Sequence, residues 1–209
     1  NILGIMVQLP LPSHMNKIRV CDTIIPQKDV DGLTSFNLGG IVTQSYHYLP
    51  CTAEAVLKIL EFYEIPIESA NVMIIGKSDV IGLPVALLLS QKNATVSMCD
   101  IYTKNPKQFS LNADIIVSAT GHAELIDTSW LSKKKCYLID VGISVKEENG
   151  VKKIYGDIQK SLQSDLYPKT PVPGGVGPVT ISVLVSHLIT SYELYFKNTR
   201  LEKNVPGSE

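Results

Sequence analysis

Several classes of function find little support in this chain. It has only four cysteines, at positions 21, 51, 99 and 136 of 209 residues. Their wide spacing excludes a metal knuckle, and a chain of this length needs no disulfide framework, so four buried free thiols and no metal site are expected. A formal net charge of −1 leaves no basic footprint for nucleic acid, and none is expected as a partner. No stretch reads as the run of about 18 apolar residues that marks a membrane helix. The apolar runs are short, such as Val85 to Leu89, and no membrane partner is expected. A starting methionine is lacking as well. Asn1 leads straight into Ile2-Leu3-Gly4-Ile5-Met6-Val7, which reads as the middle of a strand. The expectation is that a further segment precedes it, so targeting signals cannot be judged and the compartment stays unassigned.

The remaining composition is that of a folded chain. An apolar fraction of 44% argues against disorder, and the length allows one large domain or two small ones. Ile2 to Gln8 is rich in β-branched residues and is expected to be a buried strand. It ends at Leu9-Pro10-Leu11-Pro12, where two prolines stop regular structure. The stretch to about Cys51 is loop-rich. Thr52 then reads as a helix N-cap with Glu54 in the first turn. Val56, Leu57, Leu60 and Tyr63 follow at helical spacing, and Pro66 ends that helix.

Beyond Pro66 the pattern becomes strand, glycine turn and helical linker, repeated. Strands are expected over Asn71 to Ile75, Thr95 to Cys99, Asp114 to Ala119 and Cys136 to Val141. A helix is expected from about Pro84 to Lys92, with Asn93 as its C-terminal cap. This alternation predicts an α/β fold with a parallel sheet and crossover helices. A final helix from near Val179, carrying Ile181, Val183, Leu184, Leu188, Leu194 and Tyr195, is expected to end before a frayed tail over Asn198 to Glu209.

The segment Val72 to Pro84 joins a strand, a small-residue turn and a helix N-terminus. Backbone N–H groups and the helix dipole there suit a phosphate. Gly76 permits the tight turn and Gly82 permits close helix–strand packing. Ser78 stands where the usual fingerprint has its second glycine, and its hydroxyl can donate to a phosphate or a ribose. Either a dinucleotide site or a plain βα turn satisfies these residues. Asp100 ends the next strand, about 20 residues past the loop, where a carboxylate accepts from the ribose hydroxyls of NAD and repels the 2′-phosphate of NADP. Lys77 argues the other way, and a solvated strand-end carboxylate is the plainer alternative. Thr120-Gly121 and Gly142-Ile143 end the third and fourth strands, either as simple turns or facing the nicotinamide end.

Three further segments look unlike scaffold. Val7-Gln8-Leu9 places a polar residue at a strand mouth beside fixed prolines. Lys28-Asp29-Val30-Asp31-Gly32 sets two carboxylates next to a glycine. Pro173-Gly174-Gly175-Val176-Gly177 is rigid and poor in side chains, which suits backbone contact with a flat ligand. Each also has a bland reading as a strand cap, a solvated turn or a loop before a helix.

Together, VQLPLP, KDVDG, PCT, GKSDVIGLP and TPVPGGVGP resemble the methylenetetrahydrofolate dehydrogenase/cyclohydrolase family in order and spacing, from Leu3 to about Phe196. The resemblance implies a Rossmann-type parallel-sheet dinucleotide domain plus a smaller, here incomplete, α/β catalytic domain. The expected division is 1–65 for the folate domain, 66–173 for the dinucleotide domain, and 174–209 for a helix returning to the first. It implies oxidation of 5,10-methylenetetrahydrofolate to the methenyl form with hydride transfer to NAD(P), hydrolysis of that product to 10-formyltetrahydrofolate, and a homodimer. By match to the motifs, Asp31 hydrogen-bonds the pterin and Gln8 assists a lysine in hydrolysis, and these two are the catalytic candidates. Val7, Leu9 and Pro173 to Gly177 line the folate pocket. The cofactor set is Gly76, Lys77, Ser78, Gly82, Asp100, Ile101, Thr120, Gly121, Gly142, Ile143 and Thr180.

Two departures stand out. The family's catalytic lysine, with a tyrosine four residues before it, lies ahead of VQLPLP and has no counterpart in the sequence as given; truncation is the expected cause. The alternative is a catalytically impaired folate- or dinucleotide-binding homologue. Where the family often has His-Ser, this chain has Asp100-Ile101, so NADP is the family default and NAD is suggested by Asp100. Another two-domain dehydrogenase, for amino acids or shikimate, finds nothing in KDVDG or TPVPGGVGP.

Overall fold

The computed structural model describes residues 2–132, 134–148, 150–162 and 164–203. They fall into two compact units, one of Asn1–Cys51 with Ile181–Glu209 and one of Thr52–Thr180. The divisions at 51/52 and 180/181 differ from the expected 65/66 and 173/174. The helix before Pro66 and the glycine-rich loop both go with the sheet.

The second unit is built on a parallel sheet of β1 (Asn71–Ile75), β2 (Thr95–Cys99), β3 (Ile115–Ser118) and β4 (Tyr137–Asp140), in the order β2-β1-β3-β4. The strands fall within a residue or two of the sequence expectation. They are short β-branched runs closed by glycine or polar residues, and β3 is buried along its whole length, as a strand covered on both faces must be. Met73, Ile75, Ile116 and Leu138 form one face of the sheet and pack with Ile126, Trp130, Ile158 and Leu162. The alternate residues Val72, Ile74, Ile115 and Val117 are buried as well. All four cysteines are free and buried, as expected.

Three helices precede these strands. Those termed α1 (Lys17–Cys21) and α2 (Ser35–Thr43) lie in the first unit, and α3 (Cys51–Phe62) opens the second. The helix α3 starts one residue before Thr52, which therefore sits in its first turn rather than capping it. It stops at Phe62, with Glu64 in the left-handed region two residues ahead of Pro66. The helix α4 (Gly82–Gln91) crosses from β1 to β2 and ends with Asn93 in the left-handed region. A single short turn, α5 (Lys107–Ser110), precedes β3.

An antiparallel hairpin of β5 (Ser144–Glu148) and β6 (Val151–Tyr155) was not expected. Its strands are mostly polar, and its apolar residues face solvent. The final helix, α6 (Val176–Lys203), begins earlier and runs further than expected. The expected frayed tail over Asn198 to Glu209 is helical to Lys203, and its last six residues lie outside the described ones. Over Val176–Lys197, α6 is long and apolar enough to cross a membrane by length and composition. Run length therefore does not carry the exclusion of a membrane. Polar groups on this helix are nonetheless used inside the first unit, where Ser191 Oγ donates to Leu3 O (2.6 Å) and His187 Nδ1 meets Val30 O (2.8 Å).

The first unit corrects one expectation. Ile2 to Gln8 forms no strand, and Ile2, Ile5 and Met6 are exposed. A β-branched run becomes a strand only when a ladder partner is present. Among the described residues its pairing is one isolated bridge, Ile5 to Asp29, with Ile5 N donating to Lys28 O (2.7 Å).

The buried sheet sets the stability of the second unit. Ile116→Ala, at a position 0% exposed, should cost about 2–5 kcal/mol by urea denaturation. Val145→Thr on the hairpin, at 60% exposure, should stay within about 0.5 kcal/mol. Equal costs would contradict this placing of the core.

Candidate functional site

The carboxyl ends of β1 to β4 carry most of the expected dinucleotide residues, and they do so for steric reasons. Gly76 has φ +107°, and a Cβ there would lie 2.4 Å from Ala119 O. A Cβ on Gly82 would lie 1.8 Å from Gly76 O. Only glycine at both positions lets α4 start this close to the end of β1. Ser78 organises the turn between them. Its Oγ accepts from Ile81 N (3.2 Å) and its carbonyl accepts from Leu83 N (2.9 Å). The hydroxyl proton is not spent by that bond. The residue before α4 is Ile81, which makes no side-chain cap. In the first turn Leu83 N and Val85 N are spent on Ser78 O and Ile81 O and Pro84 has no N–H, so what the turn offers an anion is the positive end of the helix dipole together with the Ser78 hydroxyl.

At the end of β2, Asp100 is held by three donors. Lys77 Nζ lies 2.8 Å from Oδ2, while Oδ1 accepts from Tyr102 N (3.0 Å) and Thr103 Oγ1 (3.2 Å). The Lys77 ammonium holds the carboxyl below its ordinary range; burial opposes it, and the Tyr102 and Thr103 donors reinforce it. Ile101 beside it is 84% exposed. The two residues that pull in opposite directions on a 2′-phosphate are thus paired with each other.

At the ends of β3 and β4 two buried carboxylates organise the turns. Thr120 donates both its N–H (2.7 Å) and its hydroxyl (2.8 Å) to Asp157 Oδ2, which also accepts from Ser118 Oγ (2.8 Å). Gly121 has φ +68°, and its carbonyl accepts from Ser144 Oγ (2.6 Å). Gly142 is buried against the Asp157 carboxylate, and Ile143 is exposed. Asp140 accepts from Asp157 N and Ile158 N, both at 2.9 Å. Burial pushes its carboxyl up to about 6, with the neighbouring Asp157 adding to the rise and the backbone donors opposing it. Thr180 spends its hydroxyl on Val176 O of its own helix (3.1 Å). Sequence reasoning did not single out Asp140 or Asp157. Their partners lie 17 to 39 residues away, and no local pattern marks them.

The glycine-rich loop Pro173 to Gly177 leads into α6. Gly174 and Gly175 contribute to a cleft of about 570 Å³ along β4, together with Tyr63, Lys135, Tyr137 and Lys169. None of the expected dinucleotide residues lines that cleft.

In the first unit the two carboxylates of KDVDG part company. Asp29, 2% exposed, accepts from Gly32 N (3.1 Å), Thr34 N (2.7 Å) and Asn37 Nδ2 (2.9 Å). It is the brace of its own loop. Asp31 keeps partial access to solvent, and burial pushes its carboxyl up to about 6; the Cys51 thiol bonded to it and the His187 charge oppose the rise, and Asp29 adds to it. Cys51 Sγ also lies 3.3 Å from Val30 O and 3.6 Å from His187 Nδ1, and the His187 ring stands against Tyr48. Gln8 is exposed, and its amide donates to the carbonyl of the next residue, Leu9 (3.3 Å). Val7 and Leu9 are half-buried.

Comparison with known proteins follows this geometry. Residues 50–196 match the family model described as tetrahydrofolate dehydrogenase/cyclohydrolase, NAD(P)-binding domain. The bifunctional protein FolD of Methanococcoides burtonii is 42% identical over 192 residues, which are 91% of this chain and 65% of that protein. The bifunctional enzyme FolD of Campylobacter jejuni, a methylenetetrahydrofolate dehydrogenase/cyclohydrolase, superposes with a TM-score of 0.85 at 39% identity, over 92% of this chain and 67% of that one. The Trypanosoma brucei enzyme, solved with NADP and an inhibitor, gives a TM-score of 0.86 at 33% identity, over 92% and 67%. The chain thus spans about 65% of the length of the curated relative named above.

The buried Asp140 has a consequence for stability. Its folded pKa lies above the unfolded value of 3.8, so the folded state holds the proton more tightly. The stability linked to that proton is complete below about pH 4 and is lost as pH rises through about 6. Asp140→Asn cannot titrate. Whatever constant cost it carries, its melting temperature relative to the parent should climb between pH 4 and 7. A difference flat with pH would contradict the burial of this charge.

Proposed function

The chain belongs to the tetrahydrofolate dehydrogenase/cyclohydrolase family, and we propose that it serves the oxidation of 5,10-methylenetetrahydrofolate to 5,10-methenyltetrahydrofolate, and the hydrolysis of that product to 10-formyltetrahydrofolate. The observation that carries this reading is the turn at Gly76 to Gly82, whose forced glycines, Ser78 hydroxyl and helix dipole fit a dinucleotide pyrophosphate. That the related chains bear the names of bifunctional enzymes favours an active dehydrogenase over a binding-only homologue. Assembly as a homodimer is expected on the resemblance alone.

Gly76, Ser78 and the first turn of α4 would hold the pyrophosphate. Asp100 would meet the adenosine ribose, and Thr120-Gly121 with Gly142-Ile143 would meet the nicotinamide. When bound, the nicotinamide supplies the hydride acceptor. The protein's part in that step is alignment and exclusion of water, which rigid turns provide. Asp31, with Val7 and Leu9 of the same unit, would meet the pterin ring, and the backbone of Pro173 to Gly177 suits a flat ligand. Hydrolysis of a cationic methenyl carbon requires a placed water and a proton carrier. The amide of Gln8 cannot take up that proton. In this reading Gln8 orients the lysine that the family places before VQLPLP.

Two substitutions test the assignment. Asp31→Ala should raise KM for the folate substrate about tenfold or more and leave the dinucleotide Kd unchanged. In the parent, folate KM should rise as pH falls below about 6, where the carboxyl takes up a proton and stops accepting. Equal loss of both ligands would point to misfolding. The second concerns cofactor choice. Lys77 is tied to Asp100, so Asp100→Ser removes a carboxylate that accepts from ribose and also frees an ammonium for a 2′-phosphate. The kcat/KM ratio of NADP to NAD should rise by about ten- to a hundredfold. An unchanged ratio would remove Asp100 from cofactor selection.

A further inference from the structure

Asp157 is completely buried, and its two oxygens have different surroundings. Oδ2 takes the three donors from Ser118 and Thr120. Oδ1 has no hydrogen-bond partner among the described residues. It lies where a Cβ on Gly142 would come within 1.9 Å of it, so only glycine at 142 leaves room for the carboxylate. A second carboxylate, Asp140, stands behind it and is bonded to the Asp157 and Ile158 N–H groups. The cation that faces Asp140, Lys169, donates instead to the carbonyl oxygens of Gln159 (2.7 Å) and Lys160 (3.1 Å). An interior oxygen that no donor answers projects its field into its surroundings.

The direction of that field follows from the topology. In a sheet ordered β2-β1-β3-β4, a dinucleotide crosses the switch point between β1 and β3. Its adenosine ribose goes to the β2 side, near Asp100. Its nicotinamide goes to the β3 and β4 side, over Thr120-Gly121 and Gly142-Ile143. Asp157 binds the first of these turns and underlies the second.

We propose that Asp157, backed by Asp140, is a positioning residue that selects the redox state of the bound dinucleotide: it fixes the Thr120-Gly121 turn and sets a negative field behind the nicotinamide that favours the oxidised, cationic ring over the neutral reduced one. This rests on the dinucleotide reading given above. The two forms of the cofactor differ by one unit of charge at the nicotinamide and share the same adenosine half. A carboxylate under the turns that would meet the ring would therefore discriminate between them, whereas packing and hydrogen bonds elsewhere act on both alike. The bias favours uptake of the oxidant and release of the reduced product, the direction that oxidation of a folate substrate requires.

The test uses the full chain and measures Kd for NAD+ and for NADH by calorimetry and by the fluorescence of bound NADH. Asp157→Asn should lower the ratio Kd(NADH)/Kd(NAD+) by about three- to thirtyfold, and Asp140→Asn should lower it in the same direction by less. Thr120→Val removes a hydroxyl donor but keeps the carboxylate. It should weaken both forms alike, with the ratio within about twofold of the parent. A folded Asp157→Asn protein, judged by far-ultraviolet circular dichroism and its melt, that keeps the parent ratio overturns the proposal. If that variant does not fold, Asp140→Asn decides, and a parent ratio there overturns it equally. A parent chain that binds neither NAD+ nor NADH, and neither NADP+ nor NADPH, overturns the dinucleotide reading itself, an outcome distinct from an unchanged ratio.

Discussion

The approach of one backbone to another at the end of β1 constrains the rest of the second unit. With a Cβ at Gly82 placed 1.8 Å from Gly76 O, and one at Gly76 placed 2.4 Å from Ala119 O, neither position tolerates a side chain. That contact sets where α4 begins, and so where the positive end of its dipole points. It also draws the end of β3 against the end of β1, which fixes the Thr120 turn across the switch point. The electrostatics of the site follow from this geometry. The positive end of α4 stands over the middle strand, a neutralised Lys77–Asp100 pair stands at β2, and two buried carboxylates stand at β3 and β4.

Carboxylates divide the labour in both units. Asp29 and Asp157 take three donors each and brace the loops around them. Asp31 keeps access to solvent beside Cys51 and His187, and burial raises its pKa. A charge that holds its own loop is structural first, because breaking it leaves a buried group unanswered at a cost of about 1–3 kcal/mol. A charge with an open side is free to meet a ligand. The spacing of KDVDG does not distinguish the two roles. The hydrogen bonds do.

Elements fixed by local signals were legible in the sequence. The strands β1 and β2 with α4 between them were placed closely, because Gly76, Pro84 and Asn93 punctuate short apolar runs. Elements that depend on distant partners were not. Ile2 to Gln8 has strand composition but only one bridge. In α2 two glycines lower helix propensity, and the helix forms around a Thr34 cap and the buried Asn37 and Ile41. The β5–β6 hairpin does have a local mark in the sequence, the dipeptide Asn149-Gly150, which favours a tight hairpin turn. Of the candidate site, Gly76, Ser78 and Gly82 stand out in the sequence because a βα turn is contiguous, and Asp100 because it follows the next short strand run. Asp140 and Asp157 do not, because their roles depend on partners 17 to 39 residues away.

The central claim is that the β1–α4 turn and the ends of β3 and β4 form one dinucleotide surface. Backbone hydrogen–deuterium exchange with and without NAD+ tests it most directly. The account predicts slowed exchange at Lys77 to Leu83, at Thr120 and Gly121, and at Gly142 and Ile143, with the β5–β6 hairpin unchanged. Saturating dinucleotide that left all three of those segments exchanging at their free rates would contradict it.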